Sequence, residues 1–331
     1  MLLSICIPSY NRFEVLNETI KKILKAKSRD FEVVIIDNCS PRNIDDYIST
    51  NDSRIRIVKR EEPVYGAKNV GDSILYGRGI YSLLLLDKDK IDGNYLDDFI
   101  YALGVSDVCG GYCELNAECD SIEIIKEKTI ETVGYLSKHP SGDFYKMDIV
   151  REYIISKDVV LEKDPFPFDI YLAYCASKGN MMHYNKPVVY SALNDPNAED
   201  SVGSLTFKKE NNNLYYLPKK RLEQFVVYVN CLSELNVSLD IKKGVLCELY
   251  KRTIAMVSTS YKSAMGNAVV CRHYGHEQKK VGMMEMIRNI IQLRKIYYSV
   301  DCSGISMLSK VKLEFKVMGK AIKRFVKGKK K

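Results

Sequence analysis

The sequence predicts an α/β fold with a mostly parallel central sheet, followed by a C-terminal helical region. Three observations carry this. Short apolar strands alternate with helical segments over the first hundred residues. Three polar clusters, at Ser9–Asn11, Asp37–Ser40 and Asp87–Asp89, each follow one of those strands. Beyond about Lys208 the strand signals fade and long amphipathic stretches take over.

Leu3 to Ile7 is apolar and short, and Pro8-Ser9-Tyr10-Asn11 breaks it. Phe13, Leu16, Ile20, Ile23 and Leu24 recur at helical spacing. Phe31 to Ile36 reads as a buried strand, Ile44 to Ile48 as a short helix and Ile55 to Val58 as a third strand. Gly66 to Tyr76 reads as a helix, Ile80 to Leu86 as a fourth strand and Tyr95 to Leu103 as a helix. Strands that are apolar throughout imply a sheet covered on both faces. In such sheets ligands bind beyond the strand carboxyl ends, where all three polar clusters fall.

Downstream, Asp107–Leu115 and Ser121–Lys126 are expected to pair as strands. Asp169 to Ser177 should be helical and Met181 to Tyr190 extended. Helices are expected over Leu217–Leu235, Ile241–Ala264, Lys279–Tyr298 and Ser306–Lys327. Asn194-Asp195-Pro196-Asn197 and Glu210-Asn211-Asn212-Asn213 mark a boundary. The reading is a catalytic domain over 1–205, with halves 1–104 and 105–205, and a helical region over 206–331.

Composition narrows the function. Of 331 residues, 46% are apolar, enough for a sizeable core. The ten cysteines are scattered without a CxxC pair, and no His completes a zinc motif beside Cys109, Cys113 and Cys119. That pattern suits free thiols in a reducing compartment. The N-terminus reads as a strand and not a signal peptide, and the apolar run at Leu83–Leu86 is too short to span a bilayer. A cytoplasmic chain is expected. The net charge is +8, yet Ser306–Lys331 holds ten Lys/Arg against Glu314, leaving −1 for residues 1–305. A near-neutral body argues against a nucleic-acid-binding core.

Asp87-Lys88-Asp89 closes the fourth strand. Two carboxylates one residue apart can share a hard cation, Mg²⁺ or Mn²⁺, together with phosphate oxygens. Such a cation neutralises a departing diphosphate. A solvated acidic turn is the plain alternative, and turn chemistry alone would account for Pro8 and Asn11.

The ordered set of segments resembles the inverting family 2 glycosyltransferases. The segments are Ser4-Ile5-Cys6-Ile7-Pro8-Ser9-Tyr10-Asn11-Arg12, Val33-Val34-Ile35-Ile36-Asp37-Asn38-Cys39-Ser40, Gly66-Ala67-Lys68-Asn69, and Gly79-Ile80-Tyr81 leading to Leu86-Asp87-Lys88-Asp89. The resemblance covers about the first third of the chain and weakens to about Tyr190. It implies a Rossmann-like nucleotide-diphospho-sugar transferase fold of GT-A type and a nucleotide-sugar donor. The Asp37-Asn38-Cys39-Ser40 form and His139-Pro140-Ser141-Gly142 look like bacterial O-antigen or capsule enzymes, with abequosyltransferase-like proteins as one such group. By this resemblance the sugar is a hexose or deoxyhexose.

Carried over by position, Pro8, Tyr10 and Asn11 would line the nucleotide pocket. Asp37 and Asn38 would meet the ribose and base, the Asn38 amide suiting the polar edge of a base. Lys68 and Asn69 would lie near the base and diphosphate. Asp87 would face the ribose and sugar and help hold the metal, with Asp89 its principal ligand. An inverting transferase also needs a general base. The matching stretch, Pro165 to Leu172, makes Asp169 that base and Asp164 the runner-up. Phe168 stands where the family usually has Glu, removing one polar acceptor contact. Asp169 as a mere helix cap is the competing reading. His139 is expected to touch the acceptor. His183, His273 and His276 lack ligand spacing, Asp143 and Asp148 are expected in solvent, and so is Lys88.

In the tail, Leu308, Val311, Phe315, Met318, Ile322 and Phe325 form one apolar stripe, with Leu313 and Val317 off it. Seven Lys/Arg among residues 310–327 cover most of the rest. A cationic amphipathic helix suits an anionic membrane surface, which also suits a lipid-linked saccharide acceptor such as a polyprenol-diphosphate glycan. The chain is thus expected as a peripheral protein on the inner face of the plasma membrane. Packing of the stripe on the protein itself is the alternative. Other function classes weighed are a nucleotidyltransferase, disfavoured by the lack of glycine in Pro8–Arg12, a non-catalytic membrane-peripheral binder, and a nucleic-acid binder resting on the tail.

Overall fold

The structure is a computed structural model, and it describes residues 1–48, 51–136, 138–157, 166–191, 216–273 and 275–328. The chain forms two compact units, Met1–Asn213 and Leu214–Lys331. The two boundary segments expected from sequence, and Asp164, lie outside the described residues.

Unit 1 opens with β1 (Leu3–Ser9), α1 (Phe13–Ile23), β2 (Phe31–Asp37) and β3 (Ile55–Lys59). Then come α2 (Gly66–Ser73), β4 (Tyr81–Leu84), β5 (Lys90–Ile91) and α3 (Gly93–Val105). β6 (Gly110–Leu115), β7 (Ser121–Ile125), α4 (Thr129–Val133) and β8 (Asp143–Lys146) follow. α5 (Met147–Lys157), α6 (Pro167–Lys178) and β9 (Met181–Tyr190) complete it.

Among the described residues the sheet has nine strands in the order β3-β2-β1-β4-β8-β6-β9-β5, with β7 also on β9. β1, β2, β3 and β4 are parallel. Alternate residues point to opposite faces. Leu3, Ile5 and Ile7 of β1 therefore join Phe13, Leu16 and Ile20 of α1 in the main core, while Cys6 packs with Val34 and Ile36 on the other face. Coverage of both faces explains the unbroken apolar runs.

The sheet is more mixed than expected. Four of its eight pairings are antiparallel. The reason lies at the start of β8. The Gly142 N–H donates to Leu84 O at 2.8 Å, so β8 begins where β4 ends and must run back down beside it. The expected pairing of β6 with β7 is also corrected. β9 is long and its apolar residues are buried, so it offers two edges. β6 lies parallel on one edge and β7 antiparallel on the other.

Unit 2 is helical. It contains α7 (Pro218–Glu234), α8 (Leu239–Ala255), a π-helical stretch (Met256–Ser260), α9 (Tyr261–Gly266), α10 (Ala268–His273), α11 (Met283–Ser299) and α12 (Met307–Gly328). The rings of Tyr250 and Tyr297 stack at 4.1 Å in its interior. Glu314 of α12 accepts from Arg294 Nε at 2.7 Å, Tyr250 Oη at 3.1 Å and Tyr298 Oη at 2.5 Å. Lys310 is 5% exposed, and its Nζ donates to the carbonyls of Tyr297 and Val300. A cation there satisfies the orphan carbonyls at the α11 C-terminus. α12 thus packs through residues off the stripe read in sequence. Val317 is buried, whereas Leu308 and Phe315 are 66% and 74% exposed. No helix of the described residues is long and apolar enough to cross a membrane.

Candidate functional site

The three strand-end clusters are joined by hydrogen bonds. Asn11 adopts φ 58°, a left-handed conformation that Asn tolerates. That turn sends the Asn11 N–H to Ser40 Oγ at 2.9 Å, and Ser40 Oγ donates to Asp37 Oδ1. Arg42 reinforces the link by donating to Asn11 Oδ1 and to the Asn11 carbonyl. On the other side Asp87 Oδ2 accepts from the Tyr10 N–H at 3.3 Å, and Asp87 Oδ1 pairs with Arg12 at 3.0 Å. β1 therefore ties β2 to β4 through Tyr10, Asn11 and Arg12. Pro8 is the penultimate residue of β1 and is buried.

Asn38 is 7% exposed and its amide is engaged at both ends. Nδ2 donates to Val64 O at 2.8 Å, and Oδ1 accepts from Val64 N at 3.0 Å. It holds the approach to α2. Asn69 Oδ1 accepts from Arg60 Nε at 2.9 Å, and Lys68 pairs with Asp72 at 3.3 Å. Asn38 and Asn69 thus fasten α2 to the ends of β2 and β3, while the Lys68 pair lies within α2. Sequence pattern did not reveal this, because each partner is an unremarkable backbone or side-chain group.

Asp89 is fully buried. His139 Nε2 and Ser141 Oγ both lie 2.5 Å from Asp89 Oδ2. Ser141 Oγ also accepts from the Leu86 N–H, and the Gly142 carbonyl accepts from the Cys113 N–H. Gly142 has φ 91°, a conformation that suits glycine. The His139–Gly142 turn is thereby fixed between β4 and β6, with His139 aimed at Asp89. Lys88 is half-buried, not solvated.

The donor set suits a hard divalent cation. It comprises the carboxylates of Asp87 and Asp89 with the His139 imidazole beside Asp89. Among the described residues no group of three or more His, Cys, Asp or Glu is gathered to hold a metal by protein alone. Mg²⁺ and similar ions are commonly held by one or two carboxylates, with phosphates and water completing the shell. Asp87, paired with Arg12, and the buried Asp89, bonded to His139 and Ser141, are the residues present that could hold such a cation.

Asp169 is the third residue of α6 and is 1% exposed. Its place in the first turn favours a carboxylate. Pro167 opens α6 and packs on α2, where a Cβ on Gly71 would lie 2.2 Å from Pro167 Cγ. Gly71 permits the close approach that brings α6 against α2. Phe168 is 4% exposed and packs edge-on against Phe166, with centroids 5.5 Å apart.

Asp143 corrects the expectation of a solvated residue. It is 1% exposed, and burial pushes its carboxyl up to about 7. Lys138 Nζ is 3.7 Å away and opposes that shift, while Asp169 adds to it. Burial also lowers Lys138, which feels Asp143, Glu114 and Asp169 in return. A cavity of about 310 Å³ lies beside this group, lined by Tyr112, Glu114, Lys138, His139 and Ser141 among others. Lys138 Nζ sits 3.2 Å from the Tyr112 ring centroid, and His183 stacks on that ring at 4.4 Å. The sequence signal for Asp143 was its place one residue beyond the Gly142 turn.

Residues 4–91 match the model of glycosyl transferase family 2. That match covers 88 of the 331 residues. The mixed sheet flanked by helices is a Rossmann-like fold of GT-A type. Glycosyltransferase GlyG of Streptococcus pneumoniae serotype 4 is 30% identical over 105 residues, 30% of this chain and 34% of that protein. The match therefore spans about a third of the curated relative. Two solved structures are also similar. The crystal structure of S. aureus TarS 1–349 has a TM-score of 0.46 at 14% identity, covering 90% of this chain and 91% of that one. Mannosyltransferase PcManGT from Pyrobaculum calidifontis, in complex with GDP-Man and Mn²⁺, has a TM-score of 0.49 at 12% identity, covering 82% and 77%.

Proposed function

We propose that unit 1 is an inverting glycosyltransferase that moves a hexosyl or deoxyhexosyl group from a nucleotide sugar to a lipid-linked glycan. The pathway would be surface polysaccharide assembly of the O-antigen or capsule kind, with a polyprenol diphosphate carrying the acceptor. The observation that carries this reading is the wiring of three strand-end clusters through Tyr10, Asn11 and Arg12, with Asp89 and Asp169 buried downstream. The family 2 match over residues 4–91 supports it.

In this reading Asp37 and Tyr10 lie along the nucleoside, with Asn38, Lys68 and Asn69 holding the wall behind it. Asp89 and Asp87, with His139 beside them, would hold Mg²⁺ or Mn²⁺, which supplies positive charge to the leaving diphosphate. Arg12 adds a fixed cation at Asp87. Asp169 takes the proton from the acceptor hydroxyl. The freed oxygen bonds to the anomeric carbon from the face opposite the phosphate, the carbon–oxygen bond to phosphate breaks, and the nucleoside diphosphate leaves. The cavity beside His139 and Lys138 is the place for the acceptor sugar, and the basic end of α12 would keep the protein at an anionic membrane face.

The test is a panel of nucleotide sugars assayed for Mn²⁺-dependent binding and hydrolysis. Asp89→Ala should abolish metal-dependent turnover. Asp169→Asn should keep donor binding and lose at least about a hundredfold in turnover. Full turnover by the Asp169→Asn protein would place the base elsewhere.

A further inference from the structure

α11 has two contrasting faces. Asn289, Leu293 and Tyr297 are buried. On the opposite side Met283, Met284, Ile287 and Ile291 are 71%, 73%, 41% and 50% exposed. Met283, Ile287 and Ile291 follow one another at i, i+4 and i+8, so they form a continuous stripe, and Met284 lies at its edge. A helix in water ordinarily carries polar residues there. The sequence reading did not single this stripe out, because Leu293, Ile296 and Tyr297 give α11 an apolar side of its own.

Charge decides what suits the stripe. Arg288, Arg294 and Lys295 share the exposed side. The single acid of the helix, Glu285, is turned to Lys279 and to the Tyr261 hydroxyl, at 2.9 and 3.0 Å. The neighbouring helix repeats the pattern. Met307, Leu308 and Phe315 of α12 are 58%, 66% and 74% exposed, with Lys312 and Lys316 exposed among them. Arg294 and Tyr298 both reach Glu314, so the two helices lie side by side in unit 2. A second copy of the chain placed stripe to stripe would bring cations against cations. An anionic lipid surface offers apolar depth and negative charge together.

We infer that unit 2 lies on an anionic bilayer through the α11 stripe Met283, Met284, Ile287 and Ile291, with Arg288 and Lys295 on the headgroups. This deepens the reading of α12 as a membrane element and places the apolar contact on another helix. It does not depend on the transferase assignment.

The test is co-sedimentation of the full chain with vesicles of phosphatidylcholine alone and with about 30% phosphatidylglycerol. The wild type should bind the anionic vesicles and release in high salt. Ile287→Asp with Ile291→Asp should lower partitioning about tenfold or more, and Arg288→Glu with Lys295→Glu should do the same. Val269→Asp, at a 49% exposed apolar site on α10, should bind like the wild type. Replacing Lys329, Lys330 and Lys331 with Gln separates the tail from the stripe, and this variant should keep its dependence on Ile287 and Ile291. Circular dichroism checks the fold, and Ile287→Ser with Ile291→Ser gives the same readout should the aspartates unfold the chain. Undiminished binding by the Ile287/Ile291 variants overturns the inference. So does a wild type that ignores anionic vesicles, or a stripe variant that only converts a dimer to a monomer.

Discussion

Replacing Asp143 with Asn should stabilise unit 1 at pH 8 and change it little at pH 4. The side chain is 1% exposed, and burial raises its carboxyl from 3.8 to about 7. Lys138 and Asp169 act on it directly, and Cys113, Tyr112 and Tyr145 feel its charge. A carboxyl raised in the folded state holds its proton longer there than in the unfolded chain. Below the unfolded value both states are protonated and the group has no effect. As pH rises past that value the unfolded chain ionises first, and folding loses stability until the folded group ionises near 7. A rise of about three pH units corresponds to a cost of roughly 4 kcal/mol at most.

Asn keeps the shape and removes the charge. Lys138 then loses its partner, and that half-buried cation returns part of the gain. A net stabilisation of about 1–2 kcal/mol at pH 8 is expected, or a few degrees in melting temperature for a unit of this size. Thermal melts of the two proteins from pH 4 to pH 8 measure it, and the difference should open between pH 4 and pH 7. A difference that stays flat over this range, or a wild type that gains on the variant as pH rises, would refute the placement of an ionisable Asp143 in an apolar setting.

Two further changes probe how the site is positioned. Asn38→Ala removes both hydrogen bonds to the Val64 backbone and should cost about 1–2 kcal/mol, with weaker binding of nucleoside diphosphates in calorimetry. Unchanged stability would show that water replaces the amide at no cost. Gly71→Ala places a Cβ against Pro167 and should cost about 1–3 kcal/mol by overpacking. Because Pro167 opens the helix that carries Asp169, turnover should fall more than donor affinity, and an equal fall in both would count against that coupling.

The first four strands were legible because their signals are local. An apolar run followed by Pro8-Ser9-Tyr10-Asn11 or Asp37-Asn38-Cys39-Ser40 specifies both a strand and its exposed end, and three such units in series imply a common edge. The later strands of unit 1 were not, because they take partners far away in sequence. β8 is antiparallel to β4 only because Gly142 docks at Leu84, and no periodicity within residues 143–146 encodes that. The same long-range docking decides the chemistry. Asp143 reads as a polar loop residue, yet the β8 register between β4 and β6 buries it beside Lys138. His139 reads as a loop histidine, yet the same turn delivers it to Asp89. In α12 the apolar stripe was visible but its direction was not. Lys310 is drawn inward by the carbonyls of Tyr297 and Val300 and Glu314 by Arg294, Tyr250 and Tyr298, and these contacts, absent from any helical wheel, leave Leu308 and Phe315 in the open. Strand-end chemistry is written locally, while the second set of site residues and the exposed apolar faces arise where distant segments meet.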